Sequence, residues 1–297
     1  MPELCDWALA PEREAHPNAF KRLGMVTWLY AHRVLFAALL ALPPTLWISE
    51  HMAAFPDALR EIFSPGGFVL VELHRLLRGV LLSFIAQGSI VAIAGALLGL
   101  IPVACLIVAL SFRGPLRLRF ILARASASLP SLTLLWGSAL LLQISLAGLI
   151  LMLGEQALSL FSLSFKSADL IRIALVLVSL AALTLVSILH DLARILAVSE
   201  EQGFYMATFN ALAAFTRRPA PILWAYGLRA FLSLALLVGA ALSTWTRASQ
   251  SPLTFAVAAL VSQIALYLSV LIRASWLACA ASLLAFNFPE KQRSNPA

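Results

Sequence analysis

Apolar residues collect into six long runs, over about 25–48, 79–112, 131–153, 169–190, 221–245 and 253–285. Each exceeds the roughly 20 residues that a helix needs to cross a bilayer. The runs are rich in Leu, Ala and Val and do not alternate with period two, so helices are expected rather than barrel strands. The second run is longer than one crossing requires and holds Pro102, which predicts a kink there. Polar joins separate the runs. The longest, 49–78, predicts a short helix over 57–63 and a Ser-Pro-Gly-Gly breaker at 64–67.

The join from His190 to Pro221 is the most informative. It leaves one apolar run through Asp191 and Arg194, crosses an amphipathic stretch, and enters the next run at Arg217-Arg218-Pro219. At helical spacing, Phe204, Tyr205, Phe209, Leu212 and Phe215 share one side, while Ala207, Asn210, Ala211 and Ala214 share the other. This predicts an elbow helix lying in the membrane interface with its bulky side down; a partner-binding surface is the second reading.

Shifting the chain by 196 residues superposes 21–33 on 217–229 and aligns Trp28, Tyr30 and Arg33 with Trp224, Tyr226 and Arg229. A shift of 89 aligns Gly114, Phe120 and Pro130 with Gly203, Phe209 and Pro219. The fold class expected is therefore all-α: a polytopic membrane protein of about six transmembrane helices in three pseudo-repeated units, with cytoplasmic amphipathic elbow helices. The units are about 18–113, 114–202 and 203–285. They form a single membrane domain, 18–285, between an irregular N-terminus, 1–17, and a cytoplasmic tail, 286–297.

Composition agrees with this reading. Of 297 residues 61% are hydrophobic and 12% charged, about half the charged fraction usual in soluble domains. The net charge of +7 sits largely in the joins, where it reads as topology and anionic-lipid contact rather than nucleic-acid binding. On the side of the N-terminus lie Arg13, Lys21, Arg22, Arg113, Arg117, Arg119, Arg124, Arg194, Arg217, Arg218, Lys291 and Arg293. Opposite lie Arg60, Arg75, Arg78, Lys166, Arg172 and Arg247. Twelve against six places both termini in the cytoplasm of a bacterial inner-membrane protein. The acidic start has no apolar core of a signal peptide.

Arg33, Arg229 and Arg273 lie roughly 8–12 residues inside their runs, a position that marks a site by default. Comparable depths in the cytoplasmic leaflet are expected for all three. Two readings compete: guanidinium groups that snorkel past a belt of Trp28, Tyr30, Trp224 and Tyr226, or an anion or lipid-phosphate site. Asp191, three residues from Arg194, is the nearest carboxylate to pair with them. Gln143 and Gln263 read as interhelical hydrogen-bond links. Gly88, Ala92, Gly95 and Gly99 share one face of the second run, where small residues let two backbones approach closely.

No catalytic constellation stands out. The five histidines lack ligand spacing, G-x-S-x-G is absent, and Cys5, Cys105 and Cys279 are scattered, so neither a metal nor another cofactor is expected. Ala193-Arg194…Gly203 resembles the signature of membrane phosphatidyltransferases, but the aspartates of that family are replaced by Leu189, Ala207 and Ala211. The mitochondrial-carrier motif is also missing. Asp191–Arg194, the aromatic elbow and Arg217-Arg218-Pro219 together resemble a diffuse group of bacterial six-helix membrane proteins. That group includes the membrane domain attached to some glycerophosphodiester phosphodiesterases. The resemblance covers 169–245 and implies a membrane domain without catalytic residues of its own. The function expected is a non-enzymatic accessory or scaffold domain among membrane lipids, with a possible membrane-protein partner. A transporter or lipid-handling protein using the arginines is the alternative.

Overall fold

The computed structural model describes residues 18–52, 71, 75–112, 114, 116–160, 165–247 and 252–287. The helix expected over 57–63, the breaker at 64–67, the N-terminus 1–17, most of the turn at 249–252 and the end of the tail lie outside these residues. Among the described residues the chain is all-helical. A 3-10 turn, Ala19–Arg22, precedes α1 (Leu23–Met52), α2 (Leu81–Leu98), α3 (Leu100–Ser111), α4 (Leu118–Ser159), α5 (Phe165–Ser199), α6 (Phe204–Arg217), α7 (Pro219–Arg247) and α8 (Pro252–Asn287). Six segments are long and apolar enough to cross a membrane: 19–51, 81–111, 118–159, 166–199, 219–244 and 256–285. The protein is a multi-pass membrane protein.

The helices depart from the apolar runs in two places, each for a local reason. The second run is interrupted at Gly99 rather than at Pro102, with α2 ending at Leu98. Leu98 is four residues before the proline, and a proline ring excludes the carbonyl of residue i−4. α4 begins at Leu118, well before the expected 131, and runs through Pro130. Ile121, Ala125, Ser128, Leu132 and Leu135 are buried at helical spacing, so tertiary packing along one stripe carries the helix through the arginine-rich segment.

The chain divides into two compact units, each discontinuous in sequence. Unit 2 holds 18–106 and 227–275. In it α1 packs on α2 through Phe36 and Leu40, which face Gly95 and Gly88. On another side α1 meets α8: the Thr27 and Tyr267 hydroxyls are 3.2 Å apart, and the Tyr30 hydroxyl donates to Gln263 Oε1 at 2.7 Å. α8 meets α7 where the Thr244 and Ser262 hydroxyls are 2.9 Å apart.

Among the described residues, unit 1 holds those within 107–226 and 276–287. Its centre is the antiparallel pair α4–α5, with α6 laid against α5. Large apolar side chains of α5 are exposed up to Leu185, whereas Ile188, Leu192, Ile195 and Leu196 are fully buried. Ala207, Ala211 and Ala214 bring the small side of α6 into this core. Tyr205, Met206, Phe209 and Leu212 are left exposed on the other side. The Gln143 amide donates to Ser187 Oγ at 3.0 Å and links α4 to α5.

Candidate functional site

Which side of a helix meets lipid can be read from its exposed large apolar residues. On α1 Trp28, Leu35, Leu39, Leu42 and Leu46 form one such stripe at spacings of 7, 11, 14 and 18, with Leu23 and Leu40 exposed off it. At about 100° per residue, Arg33 falls nearly opposite that stripe, on the side of Val26 and Leu29. On α7 the exposed stripe is Trp224, Phe231, Leu234, Val238 and Leu242, and Arg229 lies opposite it beside the register of buried Ile222 and Ala240. On α8 the main stripe is Leu253, Val257, Leu260, Ile264 and Leu268, and Arg273 lies off it, in line with half-buried Ser262 and Ser269 but also with exposed Leu266. All three arginines belong to unit 2. Arg229 stands opposite the exposed stripe of its helix, whereas Arg33 shares its side of α1 with exposed Leu40, and Arg273 its side of α8 with exposed Leu266. Arg33 is exposed, whereas Arg229 and Arg273 are half-buried.

Their depths differ, contrary to the expectation from their places in the runs. Arg229 Nε donates to Ser275 Oγ at 3.0 Å, so Arg229 and Arg273 stand within about a turn of each other along the α7–α8 pair, although Ser275 and Arg273, two residues apart, lie on opposite sides of α8. The contacts Thr27–Tyr267 and Tyr30–Gln263 fix the antiparallel register of α1 on α8 and put Arg33 opposite about residue 260. That is roughly 20 Å along the helix from Arg273, at 1.5 Å per residue. Counting inward from the end of each run misses this, because the helices start at different heights.

Asp191 and Arg194 lie in unit 1. Asp191 is 1% exposed and its Oδ2 accepts the indole N–H of Trp276 at 2.8 Å. Arg194 Nη1 stands 3.9 Å from its Oδ1. Tyr226 packs edge-on against the Trp276 ring, with centroids 5.1 Å apart. This cluster ties the buried end of α5 to α8 and to the first turns of α7. Trp276 carried no signal in the sequence, since a tryptophan in an apolar run is ordinary core until its partner is known.

Among the helix-packing positions, a methyl group placed on Gly95 would meet Phe36 Cδ1 at 2.5 Å. One on Gly99 would meet His32 Nε2 at 3.1 Å, and one on Gly88 would touch Leu40 Cδ2 at 3.8 Å. Ala92 is exposed and the Gly88 contact is an ordinary one, so the close approach is at Gly95 and Gly99.

The sequence also hid Arg124. Its guanidinium donates to the carbonyls of Val198 and Ser199 at 3.4 and 2.9 Å, pairs with Glu201 at 2.7 Å, and lies 5.0 Å over the Phe112 ring. It neutralises the carbonyl end of α5 where the chain turns toward α6. The turn itself uses a left-handed Glu201. No group of histidine, cysteine and acidic residues suited to a metal occurs among the described residues.

No family profile, curated protein or solved structure matches this chain.

Proposed function

We propose that this protein binds an anionic ligand, a phosphate- or carboxylate-bearing lipid or solute, through Arg229 of α7 and Arg273 of α8. The observation that carries this is the pair of half-buried arginines at one level of two membrane-spanning helices, with Arg229 opposite the apolar stripe of α7 and hydrogen-bonded to Ser275. Arg229 in particular does not lie along the exposed apolar stripe of its own helix. Charge placed within a membrane span is expensive and is kept where it faces a partner, a ligand or water. This favours lipid handling or transport over the scaffold reading, and no enzymatic step is proposed.

The setting we propose is a bacterial inner membrane crossed six times, with both termini in the cytoplasm. α6 lies along the cytoplasmic interface with Tyr205 and Phe209 toward the acyl chains. Support comes from the Lys/Arg bias of the joins and from the opposed exposed-aromatic and buried-alanine sides of α6. The likeness of 169–245 to six-helix bacterial membrane domains is proposed to reflect this shared elbow arrangement. Reporter fusions after Gly114, Gly203 and Ala297 are expected to read cytoplasmic, and fusions after Gly67 or Gln250 the opposite side. A cytoplasmic signal at Gly67 would sink the six-span topology.

The ligand site has its own test. Lysine keeps the charge but loses the planar fork that grips an oxyanion with two hydrogen bonds. Arg229→Lys and Arg273→Lys are each expected to fold and to lose co-purified anionic lipid or ligand, measured by native mass spectrometry from mild detergent. Equal retention in wild type and both variants would leave these arginines as architecture.

A further inference from the structure

We infer that Arg217 and Arg218, at the end of α6, hold the phosphate groups of anionic phospholipids on the bilayer face along which α6 lies. The inference rests on the proposed lie of α6 in the membrane interface and is independent of Arg229 and Arg273.

Connectivity sets the level of this surface. α5 ends at Ser199 and α7 begins at Pro219, and both belong to segments long and apolar enough to cross a membrane. With 14 residues α6 extends only about 21 Å, too short for the roughly 30 Å of hydrocarbon. It therefore stays at the face where α5 ends, and Arg217-Arg218 stands where α7 enters the bilayer.

The side of α6 away from the core is apolar and open. Tyr205 is 83% exposed and Phe209 66%, with Met206 and Leu212 exposed beside them. At about 100° per residue, Arg217 lies roughly a third of a turn round from these residues. In a helix half-sunk in the interface, that is the height of the headgroups. Trp224, exposed about one and a half turns into α7, marks the same boundary.

Both arginines are exposed, and neither side chain makes a hydrogen bond or ion pair among the described residues. They therefore do not cap the carbonyl end of α6, as a basic residue in a last turn often does. The contrast is Arg124, which donates to the Val198 and Ser199 carbonyls at the end of α5. Nor does the neighbouring chain balance their charge. From 202 to 289 there is no acidic residue, while Arg217, Arg218, Arg229, Arg247 and Arg273 all fall in that stretch. Exposed apolar side chains beside unbalanced arginines fit a partner that is apolar below and anionic above. An anionic phospholipid is both, and the planar guanidinium fork matches its phosphate.

The test is lipid retention by full-length protein equilibrated in mild detergent with equal amounts of phosphatidylglycerol and phosphatidylcholine, counted by native mass spectrometry. Wild type is expected to prefer phosphatidylglycerol. Arg217→Gln and Arg218→Gln are each expected to weaken one bound phosphatidylglycerol about fivefold, the worth of one basic residue near an anionic surface. Wild-type preference in the variant carrying both changes overturns the surface. If that variant does not fold, the two single variants decide in the same way. A second measurement follows α6 itself. In membrane vesicles, Phe209→Cys is expected to take up no more water-soluble maleimide than wild type. Labelling above that level removes α6 from the interface, and the surface with it. Protection of Phe209→Cys with wild-type lipid preference in the double variant overturns the role of the arginines alone. Loss of preference in the double variant, with full ligand retention in Arg229→Lys and Arg273→Lys, keeps this surface and removes the other site.

Discussion

Gly95→Leu is expected to pull α1 away from α2 and to lower stability by at least about 3 kcal/mol, the upper part of the range for overpacking a close helix contact. The cause is specific. Even the first carbon of the new side chain would lie 2.5 Å from Phe36 Cδ1 and 2.8 Å from Cγ, well inside van der Waals contact. Three further carbons have no space behind it. Helices in lipid gain little from apolar burial against one another, so the approach of two backbones through small residues carries much of their association. Gly99→Leu is expected to behave similarly, since its first side-chain carbon would meet His32 Nε2, which already contacts the Gly95 carbonyl at 3.0 Å. Thermal unfolding in mild detergent measures both. The added Phe36→Ala change is expected to restore part of the loss in Gly95→Leu, and Gly137→Leu, with nothing within 4 Å, serves as control. Wild-type unfolding of Gly95→Leu would show that α1 and α2 do not pack on this face.

The second large effect is expected at Asp191. Removing its charge by Asp191→Asn is expected to cost about 3 kcal/mol, the lower end for breaking a buried ion pair, because Arg194 keeps some exposure. Trp276→Phe removes one hydrogen bond to the carboxylate and keeps most of the ring, so a smaller loss of about 2 kcal/mol is expected. The pair of variants separates charge from hydrogen bonding. If the aspartate matters only as an acceptor for Trp276, Asp191→Asn will unfold no earlier than Trp276→Phe. If it balances positive charge, Asp191→Asn will be the worse of the two. Binding of phosphatidylglycerol by both variants, measured beside their unfolding, tells a packing role from a ligand role. Loss of stability without loss of bound lipid assigns Asp191 to the architecture of unit 1.

Membrane class and helix number were legible because they follow from local quantities. A run of twenty or more apolar residues is a transfer free energy, and it is summed residue by residue without reference to the rest of the chain. The same is true of α6. Its alanine and aromatic sides follow from helical period alone, and the buried Ala207, Ala211 and Ala214 occupy one of them. Depth and partnership were not legible. Arg33 and Arg229 align in a shifted copy of the sequence, yet the register set by Tyr30–Gln263 and Arg229–Ser275 puts them at different heights. Helix starts cannot be leveled from sequence, because an apolar run has no marker of where its neighbour begins.

What the sequence by itself determined was therefore the solvent, the spans and the periodic faces, since apolar transfer and helical spacing are properties of single segments. Tertiary structure alone decided that α4 continues through its arginines and Pro130, that Trp276 holds Asp191, and that Arg124 closes the end of α5. It also decided which arginines share a level. Each of these depends on side chains tens of residues apart meeting at distances near 3 Å, and no local pattern encodes such a meeting.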